Sequence, residues 1–398
     1  MDKQNKSRRA RLESQAVATL PSLFFHFLRL GLTAFGGPAM IPSLRKLSVD
    51  YQKWLVEDDF RVGVAICQAI PGATVMQLAG YVGFRVRGVA GAVSSFCGFG
   101  LPAFALITVL SAVYFRFHNL PVLLAIFSGL KVIVLAILFS ASIDFVGKYI
   151  HGLPDKFLSL GAAMAFLGKA HPAVVILVAA TIGVVSFRKD AARITVKSCL
   201  PRDEHQLAAT VGLTFLFPLA ILGLWLFHRE LYRLAVLMMG VDILAFGGGF
   251  AALPIMLHEV VIRMGWLSEQ VFLDGIALGQ VTPGPIVITA AFVGYGLSGL
   301  LGAFVGTVAI FSPSFLLLIW SIPFCDLFLG NKYFRRGLRA SLATLAGLMA
   351  AVTGTFSLAI PWTVPAVLLG LVAFIALRCR LDVLWVVMIG TGLSLILF

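Results

Sequence analysis

The chain has 398 residues, of which 60% are hydrophobic and 12% charged; a soluble domain carries about 25% charged residues. So little charge cannot cover a water-facing surface, which excludes a soluble enzyme and a disordered or fibrous chain and leaves lipid as the solvent. The net charge of +13 reads as Lys and Arg gathered in cytoplasmic loops, since no basic helix or aromatic-basic ladder points to nucleic acid.

Residues 1–20 hold Lys3, Lys6, Arg8, Arg9 and Arg11. They read as a retained cytoplasmic tail, because the apolar run that follows contains Arg29 and lacks a small-x-small cleavage site. Apolar stretches then recur at 21–40, 60–80, 88–115, 120–143, 157–168, 172–187, 207–227, 231–256, 271–293, 299–322, 338–359, 362–377 and 382–398. This pattern predicts an all-α polytopic membrane protein of about 10 to 13 transmembrane segments. Several stretches are broken by Gly and Pro, which lipid tolerates only where protein or a cavity satisfies the freed backbone groups. The five cysteines stand apart, without CxxC spacing, so neither a metal centre nor a disulfide framework is expected.

The basic stretch 188–206 divides the chain, and the two sides repeat each other. Ala34-Phe35-Gly36-Gly37 matches Ala245-Phe246-Gly247-Gly248 at an offset of 211. Pro42, Trp54, Leu55, Glu57, Phe60, Gln68, Pro71 and Gly72 match Pro254, Trp266, Leu267, Glu269, Phe272, Gln280, Pro283 and Gly284 at 212. Gly129-Leu130-Lys131 answers Gly337-Leu338-Arg339. The expected organisation is a first repeat at 21–187, a basic loop and linking helix at 188–230, and a second repeat at 231–398. Six segments per repeat plus the unmatched 207–227 put seven crossings between equivalent points, an odd number that inverts the halves. One re-entrant segment per half would make the count even and the halves parallel. With the tail inside, the cytoplasmic loops collect about 20 Lys and Arg against about 7 outside.

Two constellations could carry chemistry. Phe35-Gly36-Gly37-Pro38 and Phe246-Gly247-Gly248-Gly249 place paired glycines inside apolar runs, where they break the helix and bare N–H and C=O groups. Such breaks at corresponding positions of two halves point to a transporter's binding site; the competing account is a small-residue packing face. Gln68-Ala69-Ile70-Pro71-Gly72 and Gln280-Val281-Thr282-Pro283-Gly284-Pro285 end one half-helix and start another, whose N-terminus suits an anion. Gln68, Gln77 and Gln280, with the hydroxyls of Thr74, Thr282 and Thr289, could replace an oxyanion's water shell or simply bond between helices.

Cations inside apolar runs are functional candidates by default. Arg29 and Lys131 stand between that role and snorkelling to an interface, whereas Arg339 reads as snorkelling. Asp242, Glu259 and Asp144 are the candidates for carrying a proton. Glu57 and Glu269 read as helix caps after Trp-Leu. No Ser/His/Asp set, HExxH or Walker A loop is present, so an enzyme, a cofactor or a metal site is not expected.

These residues resemble the chromate ion transporter family. The resemblance rests on Phe35-Gly36-Gly37-Pro38, Trp54-Leu55-x-Glu57-x-x-Phe60, Pro71-Gly72, Gln77-Leu78-Ala79, Gly83 and Gly88, and on a second copy with Gly265-Trp266-Leu267-Ser268-Glu269 and Pro283-Gly284-Pro285. The family's first copy usually carries a His near Ile41. The resemblance implies the long, two-domain form, a carrier in the bacterial cytoplasmic membrane that expels chromate and is driven by the proton gradient. The oxyanion, chromate or sulfate, would sit between the breaks at 36–38, 71–72, 247–249 and 283–284, with Lys131 or Arg29 offsetting its charge. A passive anion channel, a carrier of another small anion and a non-transporting scaffold are the alternatives. Oligomerisation is compatible with all of them.

Overall fold

The computed structural model describes residues 18–33, 40–117, 120–186, 204–324 and 330–398. All regular structure among them is helical. The first series comprises α1 (Leu20–Thr33), α2 (Ile41–Arg45) running into a π-helical turn (Lys46–Tyr51), α3 (Glu57–Ala69), α4 (Thr74–Phe117), α5 (Pro121–Tyr149), α6 (Leu153–Leu167) and α7 (Pro172–Ser186). The linking helix α8 (Glu204–Phe227) follows. The second series is α9 (Arg229–Leu244), α10 (Ala252–Leu257) with its π-helical turn (His258–Arg263), α11 (Glu269–Val281), α12 (Thr289–Ser321), α13 (Lys332–Ala359), α14 (Val364–Arg378) and α15 (Val383–Leu397). Five stretches are long and apolar enough to cross a membrane: Thr74–Phe117, Pro121–Tyr149, Ala208–Phe227, Ile286–Phe324 and Lys332–Ala359.

Local chemistry sets the helix starts. Ser268 caps α11 and Asn331 caps α13, each side-chain oxygen accepting a free backbone N–H. Glu57 is no cap. It lies in the first turn of α3 beside Asp58 and Asp59, where negative charge complements the helix dipole, and pairs with Arg45 at 2.8 Å.

As a rod, α4 would reach about 66 Å, twice the hydrocarbon thickness of about 30 Å. It folds back instead. Gly88 turns at φ 62°, and Ser95 Oγ donates to Ala79 O at 2.8 Å across the fold. Gly83 and Gly91 meet so closely that a Cβ on Gly83 would lie 2.2 Å from Gly91 O. The second half repeats the device, with Gly299 at φ 56° and Gly294 against Gly302.

The arm 74–86 also lies antiparallel to α3. Arg85 pairs with Asp59 at 2.8 Å, and Tyr81 Oη donates to Asp59 O at 3.0 Å. In the second half, Gly275 packs on the Phe292 ring and Gly279 on Thr289. The stretches 60–80 and 271–293 are thus hairpins that return to the face they enter, with tips at 70–73 and 282–288. A further hairpin forms at 229–263, where Arg233, Leu237 and Val241 line one groove with Arg263, Glu259 and Ile255. Its first-half counterpart brings His26 and Phe27 onto Trp54.

The hairpins of the two halves enter from opposite faces. Gly72, at the first tip, abuts Ser314 of α12, and Gly284, at the second, abuts Ala103 of α4. The mouth of the first hairpin joins the start of the long arm of α4. The mouth of the second lies at Gly296, beside Phe115 near the other end of that arm. The halves are therefore inverted. Two re-entrant hairpins per half, rather than one, remove two of the seven segments counted between equivalent points, and the count stays odd.

Ion pairs tie one half to the other, among them Arg378 with Asp144 and two that start from repeat-related positions. Lys131 Nζ of α5 lies 3.2 Å from Asp274 of α11, whose other oxygen accepts the Tyr114 hydroxyl at 2.8 Å. Arg339 of α13 grips Asp155 of α6 with two N–H groups, at 2.7 and 3.2 Å. Arg339 is therefore held by a buried carboxylate and does not reach for the interface. Because the Gly294–Gly302 contact leaves no room for a side chain, Gly302→Val is expected to destabilise the protein by about 1–3 kcal/mol or more. Thermal unfolding of the purified variant in detergent checks this; an unchanged melting temperature would contradict the close approach.

Candidate functional site

A cavity of about 70 Å³ opens where the hairpin tips meet. A single water needs roughly 10–15 Å³ on this measure, so a small polyatomic ion fits. Its wall comprises Gln68 from the end of α3, Ala73, Thr74 and Val75 from the start of α4, the triplet Gly247–Gly248–Gly249, Gln280 from the end of α11, and Gly284, Pro285 and Ile286. Ile41 and the C-terminal end of α5, with Phe145, Lys148 and Tyr149, complete it.

The backbone dictates these residue types. Gly248 sits at φ 112°, ψ −177°, a region essentially restricted to glycine. Gly247, Gly72 and Gly284 also have positive φ, at 88°, 110° and 124°. A Cβ on Gly284 would meet that of Ala103 at 2.8 Å. After each tip a helix begins, at Thr74 and, through the single turn Ile286–Ile288, at Thr289. Two helix N-termini related by the internal repeat therefore face one space, and both favour negative charge there.

The side chains fit the same ligand. Gln280 is buried, and its Nε2 has no hydrogen-bond partner. A buried amide donor without an acceptor is costly, and an anion in the cavity would supply one. Lys148 brings a positive charge, and it and Gln68 are exposed, so the cavity communicates with the surface beside the end of α5.

Pro71, Gly72, Gln77 and Pro283 stand behind the wall. Gln77 is fully buried and its Nε2 donates to Pro71 O at 2.5 Å, which holds the tip. Gly72 N–H donates to Ala245 O at 2.9 Å, joining the tips of two hairpins from different halves. Gly36, Gly37 and Pro38 lie outside the described residues. Arg29 is exposed on α1 and Lys131 is engaged by Asp274; neither lines this cavity.

The acidic candidates separate too. Asp242 is buried beside Gly72, with one oxygen accepting Ser314 N–H at 2.7 Å, next to Pro313, and the other unpartnered. Asp144 is exposed and pairs with Arg378 at 2.8 Å. Glu259 contacts His171 and pairs with Arg263 at 2.7 Å. Burial, reinforced by His171 alongside, holds the His258 imidazole there below its ordinary pKa range.

Lys148 and Tyr149 were not singled out from sequence. A Lys-Tyr pair closing an apolar run looks like an interfacial anchor, and only the packing of α5 against the tips brings it to the cavity. The larger cavity of about 460 Å³ between α5, α13 and α14 has Val132, Leu135, Phe139, Trp362 and Phe374 on its wall, a lining suited to acyl chains rather than to an anion.

Comparison with known proteins matches both halves. Residues 21–184 and 232–395 each fit the family described as chromate transporter. An uncharacterised transporter of Methanocaldococcus jannaschii is 39% identical over 99% of this chain and 98% of its own. A chromate transport protein of Pseudomonas aeruginosa is 32% identical, covering 89% of this chain and 85% of its own. One from Cupriavidus metallidurans is 29% identical, covering 95% and 92%. No solved structure matches.

Gly248→Ala forces a side chain into a backbone region that costs about 1–3 kcal/mol. Expected is a lower melting temperature together with loss of ligand-dependent stabilisation by chromate. A variant with the wild-type melting curve and the wild-type response would show that the triplet does not need its glycines.

Proposed function

The chain belongs to the chromate transporter family, and on that premise we propose that it is a secondary active transporter exporting chromate, or a similar tetrahedral dianion such as sulfate, across the cytoplasmic membrane under the proton gradient. The observation that carries this reading is the convergence of the two repeat-related helix N-termini and the buried, unpartnered Gln280 amide on one cavity beside Lys148.

The dianion binds between the tips. Backbone N–H groups at 73–75, 247–249, Gly284 and Ile286, with the Gln68 and Gln280 amides, replace its water shell. Gly36, Gly37 and Pro38, the sequence counterparts of the glycine triplet in the first repeat, are retained as candidate ligand-binding residues on the strength of the repeat alone. Lys148 takes the charge-balancing role that sequence alone had given to Lys131 and Arg29. Tetrahedral dianions share size and charge, so these donors accept chromate and sulfate alike.

Export requires the cavity to open alternately to each face. Inverted halves provide two equivalent arrangements that differ in which half leans on the tips. The face beside Lys148 is also where α1 begins, at the Ala18–Arg87 contact, and where α7 ends against Arg336. The basic tail and the basic central loop attach there, which supports a cytoplasmic assignment for that face and loading from the cytoplasm. Of the three acidic candidates for proton coupling, Asp242 is the one in contact with a tip.

Everted membrane vesicles containing the protein are expected to accumulate chromate against its gradient and to lose that accumulation when an uncoupler is added. Flux insensitive to the uncoupler would make it a passive channel. The double variant Gln68→Ala/Gln280→Ala is expected to lower uptake at least roughly tenfold, the equivalent of one or two charge-assisted hydrogen bonds. Lys148→Ala is expected to raise the KM and Lys148→Arg to restore it. Wild-type uptake by the double variant would place the binding site elsewhere.

A further inference from the structure

Two of the ion pairs that join the halves start from matching positions, Lys131 and Arg339, yet differ in kind. Arg339 reaches Asp155 with two parallel N–H groups, and Asp155, with no exposed side-chain surface, also accepts the backbone N–H groups of His151 and Gly152. A guanidinium stays charged at any working pH, and a two-point grip fixes orientation. That pair is a permanent clamp. Lys131 meets Asp274 at a single point, 3.2 Å away, through an ammonium on a flexible stem.

The position of Asp274 adds a second asymmetry. It lies in α11, the entering arm of the second-half hairpin, and it holds that arm to α5 and α4 of the first half through Lys131 and Tyr114. In the first-half hairpin the matching position is Val62, and the buried charges there, Asp59 and Arg85, pair within the hairpin itself. Asp274 therefore ties its hairpin to the opposite half at a position where the first repeat carries no ionisable side chain. The same α5 that carries Lys131 delivers Lys148 to the cavity at its other end.

Resting on the transport reading above, we propose that Asp274 is a proton-coupling residue: a proton taken onto its carboxylate releases Lys131 and frees the second hairpin to move relative to α5, and loss of that proton restores the bond. The balance is simple. One proton adds to the Asp274 oxygen facing Lys131, Tyr114 keeps donating to the other, and Lys131, with 20% of its side-chain surface exposed, keeps its own proton and charge. Lys131 from α5 and Tyr114 from α4 are the charged and titratable groups acting on Asp274 among the described residues; α12 offers the Phe292 ring against Tyr114. A charged pair in an apolar interior is stable only as a pair, so one proton changes whether the two elements attract.

The test separates coupling from binding. Asp274→Asn in reconstituted vesicles is expected to keep chromate counterflow, which exchanges anion for anion with no net proton movement. Accumulation driven by a pH gradient should fall at least tenfold, and the rate should lose its pH dependence. Lys131→Arg, which substitutes a fork for the single contact, is expected to lower kcat with little change in KM. Should Asp274→Asn fold poorly, Lys131→Met/Asp274→Asn removes both charges and is expected to show the same split. Full proton-driven accumulation by either neutral variant overturns the proposal, and so does loss of counterflow in parallel with accumulation by the folded double variant. Absence of counterflow in the wild-type protein would instead sink the transport reading itself.

Discussion

A backbone that leaves its helix inside an apolar medium must find hydrogen-bond partners within the protein, because lipid offers none. This chain interrupts its helices at both Pro-Gly breaks and at the glycine triplet, so the interruptions have to meet one another. They do so directly. Gly72 N–H donates to Ala245 O, and Asp242 accepts the Ser314 N–H next to Pro313. The inverted arrangement follows, since hairpins entering from opposite faces bring their tips to one depth without either crossing the whole protein.

Gathering the tips also concentrates what they leave unsatisfied. Helix N-termini, a glycine stretch without side chains and the spare donor of Gln280 surround a space large enough for a small ion. The constraint that holds the fold together thus leaves a cavity whose lining suits an anion, enclosed by the long helices around it. The cross-half ion pairs of Lys131 and Arg339 set how firmly each half holds the other.

Much of the cavity wall was legible because its residues have few other uses. Paired glycines and a Pro-Gly step inside apolar runs are poor helix formers, and their recurrence at a fixed offset marks them as structural devices. Gln68, Gln280, Gly247, Gly248, Gly249 and Gly284 all line the cavity. Lys131 and Arg29 could not be assigned from sequence for a physical reason. A cation within an apolar run announces that something must balance it, but not whether that partner is a ligand, an interface or, as for Lys131, a carboxylate such as Asp274.

The sequence by itself determined the solvent, the helical class, the duplication and the positions of the breaks, because each follows from hydrophobicity and from the local conformational limits of Gly and Pro. Tertiary structure alone decided that the broken stretches turn back rather than cross, that Lys148 faces the tips while Lys131 is engaged elsewhere, and that Gln77 braces a tip instead of facing the cavity. Those outcomes depend on which helices lie side by side. Contacts between residues 72 and 314, or 131 and 274, join positions far apart in the chain, and no local pattern encodes them.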